Sequence, residues 1–198
     1  MTTRRALLAL AACCLFGGAA AQDFSAHGLG DPAPAEIRTR YLLVGPDGGA
    51  VTDQDFRGRL QLIAFGYTFC PDICPTTLLE MAEVLRRLGD EAGALQGIFV
   101  SVDPERDTPK SLKTYTAFFD PRILGLTGSA ELVQRAARNF KVRYAKVPGS
   151  SGQASHYAVD HSAGMYLLDR DGGFLKKFAY GTPPEQIADA IRAHLHGG

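Results

Sequence analysis

The sequence lacks a surplus of charge of either sign. Its 198 residues include 21 lysines and arginines and 21 aspartates and glutamates, so the formal net charge at pH 7 is zero. It also has no long basic run and no interleaving of basic and aromatic residues, the pattern that is typical of nucleic-acid-binding proteins. The sequence therefore predicts no nucleic-acid partner.

Long hydrophobic runs and internal repeats are missing as well. The apolar stretch at residues 6–15 is shorter than the roughly 20 residues that a membrane-spanning helix requires. No segment recurs at a period of about 20–50 residues, which excludes repeat architectures. A hydrophobic content of 45% in a chain of this length is enough for one well-packed domain.

Residues 1–21 have the features of an export signal. Two arginines precede the apolar stretch and small residues follow it up to Ala21, near which we predict cleavage. An alternative is a lipoprotein cleavage box at residues 10–13, after which a lipid on Cys13 would tether the protein to the membrane. The arginine pair is too short a motif to establish a twin-arginine export route.

The rest of the chain divides into two predicted parts. Residues 22–36 mix glycine, proline, alanine and serine without periodicity, which predicts a flexible tether. Residues 37–198 then form the folded domain. A bacterial protein exported in this way is expected in the periplasm.

Cysteine is scarce outside the export signal. Of the four cysteines, Cys13 and Cys14 leave with the signal, so that only Cys70 and Cys74 remain. In an oxidising compartment such a pair tends to form a disulfide unless a metal or a reductant holds it. Four interpretations of the pair are open: a plain disulfide, two inert buried thiols, a metal site or a redox couple. The spacing of the cysteines alone does not distinguish a metal site from a redox couple.

The cysteine pair lies between a predicted strand and a predicted helix. Residues 60–65 are apolar and branched, as in a buried strand, and residues 76–88 repeat apolar side chains at helical spacing after Pro75. Ligand chemistry collects at the carboxyl ends of strands in open α/β sheets. A helix start lowers the pKa of a thiol, so we predict that Cys74 is available there as a thiolate.

The remaining elements predict a thioredoxin-like arrangement. They are a hairpin at residues 41–52, strands at 97–102, 123–126, 164–168 and 174–178, a helix at 109–118 capped by Thr108, a helix up to about residue 140 capped by Ser129, and a last helix from Pro183. Residues 142–145 are predicted to be extended. Gly/Ser-rich residues 149–154 suit a flexible hairpin tip. A β-α-β unit followed by β-β-α predicts one α/β domain of thioredoxin type, with an N-terminal hairpin and an extra strand-helix insertion.

His161 is the candidate third residue of the site. In a thioredoxin-like arrangement the loop before the penultimate strand lies over the start of the first helix, which would bring His161 to the cysteines. The alternative for His161 is a hydrogen-bonded structural histidine. His194 and His196 lie near the C-terminal helix end and need no function.

Two carboxylates follow the strand next to the cysteine strand. Asp103 and Asp107 come after residues 97–102, and the carboxyl ends of neighbouring parallel strands face the same crevice. Both side chains therefore could reach the cysteine loop. Asp107 fits a turn or cap carboxylate equally well.

Three segments resemble the signature blocks of the Sco (SenC/PrrC) family. They are residues 69–75, 101–109 and 159–162, in the order and spacing of that family. Its members are thioredoxin-fold copper proteins that assist assembly of the binuclear copper A site of cytochrome c oxidase. Many members keep a transmembrane anchor, whereas the signal in this chain looks cleavable or lipidated.

The resemblance implies a copper site with assigned residues. The implied ligands are Cys70, Cys74 and His161, and the residues expected to support them are Asp72, Asp103 and Asp160. Two soft thiolates suit Cu(I), and a mixture of sulfur and nitrogen donors is tolerated by Cu(II). Zinc normally takes four protein ligands in a closed site, and no fourth ligand stands out.

The leading hypothesis is an exported metallochaperone rather than an enzyme. It would bind one copper ion and deliver it to the copper A-bearing subunit of cytochrome c oxidase, with periplasmic copper carriers or thioredoxin-like reductants as further partners. The alternative is a thiol–disulfide reductase in which Cys70 and Cys74 keep the cysteines of that copper site reduced, although catalysts on this fold usually carry C-x-x-C. A peroxidase is disfavoured, because the flanking motif of a peroxidatic cysteine is absent.

Overall fold

The computed structural model describes residues 37–148 and 157–197. The predicted export signal with Cys13, the predicted tether at 22–36 and the predicted loop at 149–154 lie outside these ranges, so the domain division stays a prediction. Within the described ranges, no helix has both the length and the apolar character needed to span a bilayer.

Strands and helices alternate through the middle of the domain. The strands are β1 (Leu42–Val44), β2 (Ala50–Thr52), β3 (Leu60–Gly66), β4 (Leu95–Ser101), β5 (Ile123–Leu126), β6 (Tyr144–Pro148), β7 (Tyr157–His161), β8 (Met165–Leu168) and β9 (Phe174–Phe178). The helices are α1 (Ile73–Leu88), α2 (Pro109–Phe119), α3 (Ala130–Asn139) and α4 (Pro184–His196), with 3-10 helices at Asp53–Phe56 and Gly89–Ala94.

A five-stranded sheet in the order β5-β4-β3-β8-β9 forms the centre of the domain. Strands β3, β4 and β5 are parallel, and β8 and β9 are antiparallel to their neighbours. This is the predicted thioredoxin-like sheet, with β5 and α3 as the strand-helix insertion and β1–β2 as the N-terminal hairpin. The predicted fold class is confirmed.

Both faces of the central sheet are covered, which explains why every residue of β3 is buried. On one face the ring of Phe65 packs against Phe140, with ring centroids 5.3 Å apart. On the other face Phe99 packs against Tyr115 of α2, with ring centroids 5.9 Å apart. The site therefore rests on a strand that packing holds from both sides.

Helix α1 begins earlier than its apolar pattern predicts. Its first residue is Ile73, and Pro75 is its third residue rather than its first. A proline in the first turn removes no intrahelical hydrogen bond, because those N–H groups have no partner within the helix. The predicted start was wrong by two residues, and Cys74 lies inside the first turn. The predicted caps of α2 and α3 at Thr108 and Ser129 are confirmed.

A second hairpin, β6–β7, was predicted only in part, from an extended segment at residues 142–145 and a hairpin tip at 149–154. The two strands are antiparallel, with Tyr144 opposite His161, and they form a sheet separate from the central one. Most of β6 is exposed, so it lacks the alternation of buried and exposed residues that indicates a strand. The predicted loop over the start of α1 is therefore the end of a hairpin, and His161 is its last residue.

Candidate metal centre

The structure brings together the two cysteines and the histidine that the resemblance implied. The Sγ atoms of Cys70 and Cys74 and a ring nitrogen of His161 all lie within 4.8 Å of one another. Cys74 Sγ and His161 Nε2 are 3.3 Å apart. Among the described residues, no fourth histidine, cysteine or carboxylate belongs to this group.

Gly66 makes room for Cys74. A Cβ atom at position 66 would lie 2.7 Å from Cys74 Sγ and 2.8 Å from the ring of Phe99, and both contacts are too short for real atoms. Gly66 is the last residue of β3, immediately before the cysteine loop. We read this glycine from the sequence only as a turn residue, because its contact with Cys74 is not visible in a local pattern.

The two cysteines differ in environment. Both are free thiols, and Cys74 is buried in α1 whereas Cys70 is half-buried in the preceding loop. Burial opposes ionisation of Cys70, but hydrogen bonds from the backbone N–H groups of Asp72, Cys74 and Ile73 outweigh it and lower the pKa of Cys70. Cys70 is therefore the more available thiolate.

Burial raises the pKa of Cys74 well above its ordinary value, although the backbone N–H of Tyr67 donates to its sulfur. The prediction that a helix start supplies a Cys74 thiolate was therefore wrong for the metal-free protein. The first-turn position does not compensate for the loss of water around this sulfur. A metal ion would have to displace the proton of Cys74 in order to bind it.

His161 presents Nε2 to the cysteines in its neutral form. Its Nδ1 lies 3.1 Å from the carbonyl oxygen of Ser162, which can only accept, so Nδ1 carries the hydrogen. Burial lowers the pKa of His161 more than the Ser162 carbonyl and Asp160 raise it. The Nε2 lone pair therefore faces Cys74, as metal coordination requires. The ring of Tyr67 meets the imidazole edge to face, with centroids 6.1 Å apart.

Asp107 holds the cysteine loop from the connection between β4 and α2. The buried carboxylate accepts hydrogen bonds from the Thr68 N–H at 3.0 Å, from the Thr68 hydroxyl at 2.5 Å and from the Ser101 hydroxyl at 2.6 Å. Thr68 is two residues before Cys70. Of the two interpretations that the sequence left open for Asp107, the contact with the cysteine loop is the one observed.

Asp103 reaches the hairpin rather than the cysteine loop. It is fully buried, and it accepts hydrogen bonds from the Tyr157 hydroxyl at 2.7 Å and from Nε of Arg106. Tyr157 is the first residue of β7, the strand that ends at His161. The roles of Arg106 and Tyr157 were not predicted, because no local sequence pattern indicates a contact between residues 51 positions apart.

The two other predicted supporting carboxylates are exposed. Asp72 is the N-cap residue of α1, where its side chain makes no capping hydrogen bond. Asp160 immediately precedes His161 on β7, and its side chain is exposed. Their support of the ligands stays a prediction. At the far end of the domain His196 Nε2 lies 2.6 Å from a Glu91 carboxylate oxygen, and neither His194 nor His196 joins the cysteine group.

The sequence is similar to Sco proteins of mitochondria and bacteria. It is 44% identical over 143 residues to "Protein SCO2 homolog, mitochondrial" of Bos taurus, which covers 71% of this chain and 53% of that protein. It is 37% identical over 154 residues to "SCO2-like protein" of Rickettsia felis, which covers 78% of this chain and 75% of that protein. The chain spans about half the length of the mammalian relatives it matches.

The structure is similar to a solved Sco structure that contains copper. The structure of Bradyrhizobium japonicum ScoI with copper bound is 42% identical in sequence and has a TM-score of 0.72. The alignment covers 80% of this chain and 99% of that one. The SCO1/SenC family model matches residues 30–196, which contain the thioredoxin-like sheet, both cysteines and His161. On the agreement of sequence, fold and site geometry, the chain belongs to the SCO1/SenC family.

Proposed function

We propose that this protein is a copper metallochaperone. Cys70 Sγ, Cys74 Sγ and His161 Nε2 would bind one copper ion, and the protein would deliver it for assembly of the copper A centre of cytochrome c oxidase. The observation that carries the proposal is the convergence of these three donor atoms within 4.8 Å. Copper in the structure of the Bradyrhizobium japonicum relative supports the choice of metal.

The donor set fits copper better than zinc. Thiolates are soft ligands that prefer Cu(I), and two thiolates with one imidazole also suit Cu(II). A structural zinc site normally has four protein ligands, whereas the group found among the described residues has three. The neutral His161 ring offers the Nε2 lone pair that copper requires, and the lowered pKa of Cys70 favours the thiolate form of this donor.

The position of the site suits transfer to another protein. Cys70 is half-buried and the neighbouring Phe69 is 60% exposed, so an acceptor can approach the cysteine loop directly. A three-donor site leaves room for an incoming ligand, and copper can therefore move by ligand exchange. We propose the copper A-bearing subunit as acceptor, other periplasmic copper carriers or thioredoxin-like reductants as further partners, and the periplasm as the location. The form we propose is the one cleaved near Ala21, with attachment by a lipid on Cys13 as the alternative.

A copper titration of the reduced protein tests the metal site. The wild type is expected to bind one Cu(I) per chain in competition with a chromophoric chelator. Cys70→Ala and Cys74→Ala should each lose this binding, and His161→Ala should lose the nitrogen signature of the Cu(II) form. His194→Ala is the matched control, because this histidine is on α4 and outside the group. Equal affinity in wild type and both cysteine variants would refute the proposal.

Transfer is tested separately. The Cu(I)-loaded protein is mixed with the reduced, copper-free copper A domain of an oxidase subunit, and copper is measured on each protein after separation. Copper is expected on the acceptor without passing to a chelator present in solution. Retention of all copper on the donor would refute delivery while leaving the binding site intact.

The different environments of the two thiols favour a second function, a thiol–disulfide reductase. An accessible thiol of low pKa beside a buried partner suits thiol–disulfide exchange. The Cys70 thiolate would attack a target disulfide and form a mixed disulfide, releasing one target thiolate. Cys74 would then attack Cys70, release the second target thiolate and leave a Cys70–Cys74 disulfide. The target gains two electrons, and the protein loses two.

Exchange with an oxidised copper A domain tests this function. Free target thiols are counted after mixing with the reduced protein, and Cys74→Ser should trap the mixed disulfide on Cys70. An unreactive cysteine pair that nevertheless binds copper would exclude the reductase and leave the chaperone standing.

A further inference from the structure

The donors of the candidate metal centre come from two separate segments. Cys70 lies in the loop between β3 and α1 and Cys74 in the first turn of α1, whereas His161 ends the β6–β7 hairpin, whose described strands form a sheet separate from the central one. A contact between these segments is therefore needed to keep the imidazole beside the sulfurs. The connection from β4 to α2 supplies one through Arg106.

The guanidinium of Arg106 lies between aromatic rings of the two segments. Its central carbon is 3.7 Å from the ring centroid of Tyr157 and 4.7 Å from that of Phe69. Its Nη1 donates to the Tyr157 carbonyl oxygen at 3.1 Å. Tyr157 is four residues before His161 on β7, and Phe69 immediately precedes Cys70. One side chain therefore contacts both donor-bearing segments.

Asp103 fixes Arg106 and Tyr157 at the same time. Its buried carboxylate accepts from Nε of Arg106 through one oxygen and from the Tyr157 hydroxyl through the other. Burial and the hydrogen bond to Asp103 raise the pKa of Tyr157 to about 12, so this hydroxyl remains a donor. We call Asp103, Arg106, Tyr157 and Phe69 the arginine clamp.

A second charged contact of the hairpin is weaker because it is exposed to solvent. Lys146 of β6 pairs with Glu105 at 2.5 Å, but the two side chains are 47% and 65% exposed, whereas Arg106 and Asp103 are 17% and 0% exposed. Exposed ion pairs contribute little because water and salt screen them. A buried pair with stacked and hydrogen-bonded partners fixes geometry much more strongly.

We propose that Arg106 is a positioning residue, which sets the distance between His161 and Cys74 by holding the β6–β7 hairpin against the cysteine loop. The proposal rests on the proposed copper site for its metal-binding readout, and on the fold alone for its metal-free readout. Arg106 itself supplies no ligand. Because Asp107 holds the cysteine loop independently, the loss of Arg106 should affect copper mainly by freeing the hairpin that carries His161.

A double-mutant cycle tests this dependence. Arg106→Ala is expected to weaken Cu(II) binding about 10- to 100-fold, as is typical when a residue that orients a ligand is lost. The Cu(II) absorption and nitrogen hyperfine spectrum should change toward that of His161→Ala. In the His161→Ala background, Arg106→Ala should lower the Cu(II) affinity by less than about a further threefold, because the histidine that Arg106 positions is already absent.

Arg86→Ala is the matched control. Arg86 also pairs with a carboxylate three residues earlier, Glu83, but it lies on α1 with a side chain 69% exposed. This variant should keep the affinity and the spectrum of the wild type. An unchanged Cu(II) spectrum in folded Arg106→Ala, or an equal loss of affinity with and without His161, would overturn the proposal.

A metal-free measurement separates this proposal from the copper function. In the reduced, copper-free protein, Arg106→Ala should shift or broaden the imidazole NMR signals of His161 while leaving those of His194 in place. Unchanged His161 signals would overturn the clamp even if copper binds, and shifted signals in a protein that binds no copper would overturn only the copper function. If Arg106→Ala does not fold, Arg106→Lys keeps a positive charge beside Asp103 but loses the planar guanidinium that contacts the Tyr157 and Phe69 rings, and the same two outcomes decide.

Discussion

His161 Nε2 lies 3.3 Å from Cys74 Sγ, although 87 positions separate the two residues in the chain. The proximity arises from two independent features, a first helical turn that carries Cys74 inward and a hairpin that returns across it. Each feature has its own supporting residues.

Gly66→Ala should displace Cys74. The added Cβ would meet the cysteine sulfur at 2.7 Å and the Phe99 ring at 2.8 Å, so one of them must shift. We expect the free energy of unfolding to fall by about 1–3 kcal/mol, as for other overpacked sites, and copper affinity to fall with it. Urea denaturation and a chelator competition measure the two effects.

Gly93→Ala is the control for that substitution. A Cβ at position 93 has no neighbour within 4 Å, and this glycine is in a 3-10 helix away from the cysteines. Stability and copper binding should stay close to those of the wild type. If the two glycine variants behave alike, the close approach of Gly66 to Cys74 has no functional weight.

Cys70 should react with iodoacetamide much faster than Cys74 in the reduced, copper-free protein. Cys70 is the more accessible thiol and has a lowered pKa, whereas burial raises the pKa of Cys74. At neutral pH we expect a difference of at least about tenfold, because the thiolate is the reacting species. Mass spectrometry of the peptides over time resolves the two sites, and one equivalent of Cu(I) should protect both. Equal rates would contradict the assigned environments.

The copper-free protein should lose stability below about pH 6.5, in part through His161. Its pKa is lowered from 6.5 in the folded state, so the unfolded chain takes up a proton at a higher pH than the folded protein does. The contribution is therefore fully present above pH 6.5 and is lost as the pH falls through the folded-state pKa. Denaturant unfolding at several pH values should show that the free energy of unfolding declines less on acidification in His161→Gln than in the wild type.

His194→Gln serves as the reference for this pH dependence. His194 lies in the last turn of α4, outside the cysteine group. Replacement of His194 should leave the decline in the free energy of unfolding between pH 7 and pH 5 the same as in the wild type. A decline that is the same in His161→Gln would show that His161 is not desolvated in the folded protein.

Asp107→Asn should loosen the cysteine loop. The carboxylate accepts from two groups of Thr68 and from the Ser101 hydroxyl, and an amide replaces one acceptor oxygen with a donor that faces donors. We expect a loss of about 2–3 kcal/mol in the free energy of unfolding, the range for hydrogen bonds to a charged buried group. Asp160→Asn, at an exposed position of β7, should change stability by less than about 0.5 kcal/mol.

Local signals in the sequence predicted most of the fold. The apolar run of β3 and the cap at Thr108 with Pro109 depend on residues close in sequence, and both lie where the pattern placed them. Residues 142–145 were predicted to be extended without being assigned as a strand, because β6 is exposed and pairs with β7, so that no burial pattern indicates it. The start of α1 was misplaced because a proline is compatible with more than one position of the first turn.

The residues of the candidate site were likewise predictable only in part. The resemblance named Cys70, Cys74 and His161, and the topology of the fold placed His161 near the cysteines. The roles of Gly66 and Arg106 were not predictable, since each depends on contacts with residues distant along the chain. The high pKa of Cys74 was missed for the same reason, because burial is set by the packed domain and the helix start by local sequence.

The unequal depth of the two sulfurs would give the proposed copper transfer an order of events. Cys74 is buried, whereas Cys70 and His161 are half-buried, so an approaching acceptor would meet Cys70 before Cys74. If the acceptor replaces the Cys70 bond first, Cys74 still holds the metal from the buried side. Such an order of exchange would keep copper coordinated at every step, without releasing it as a free ion.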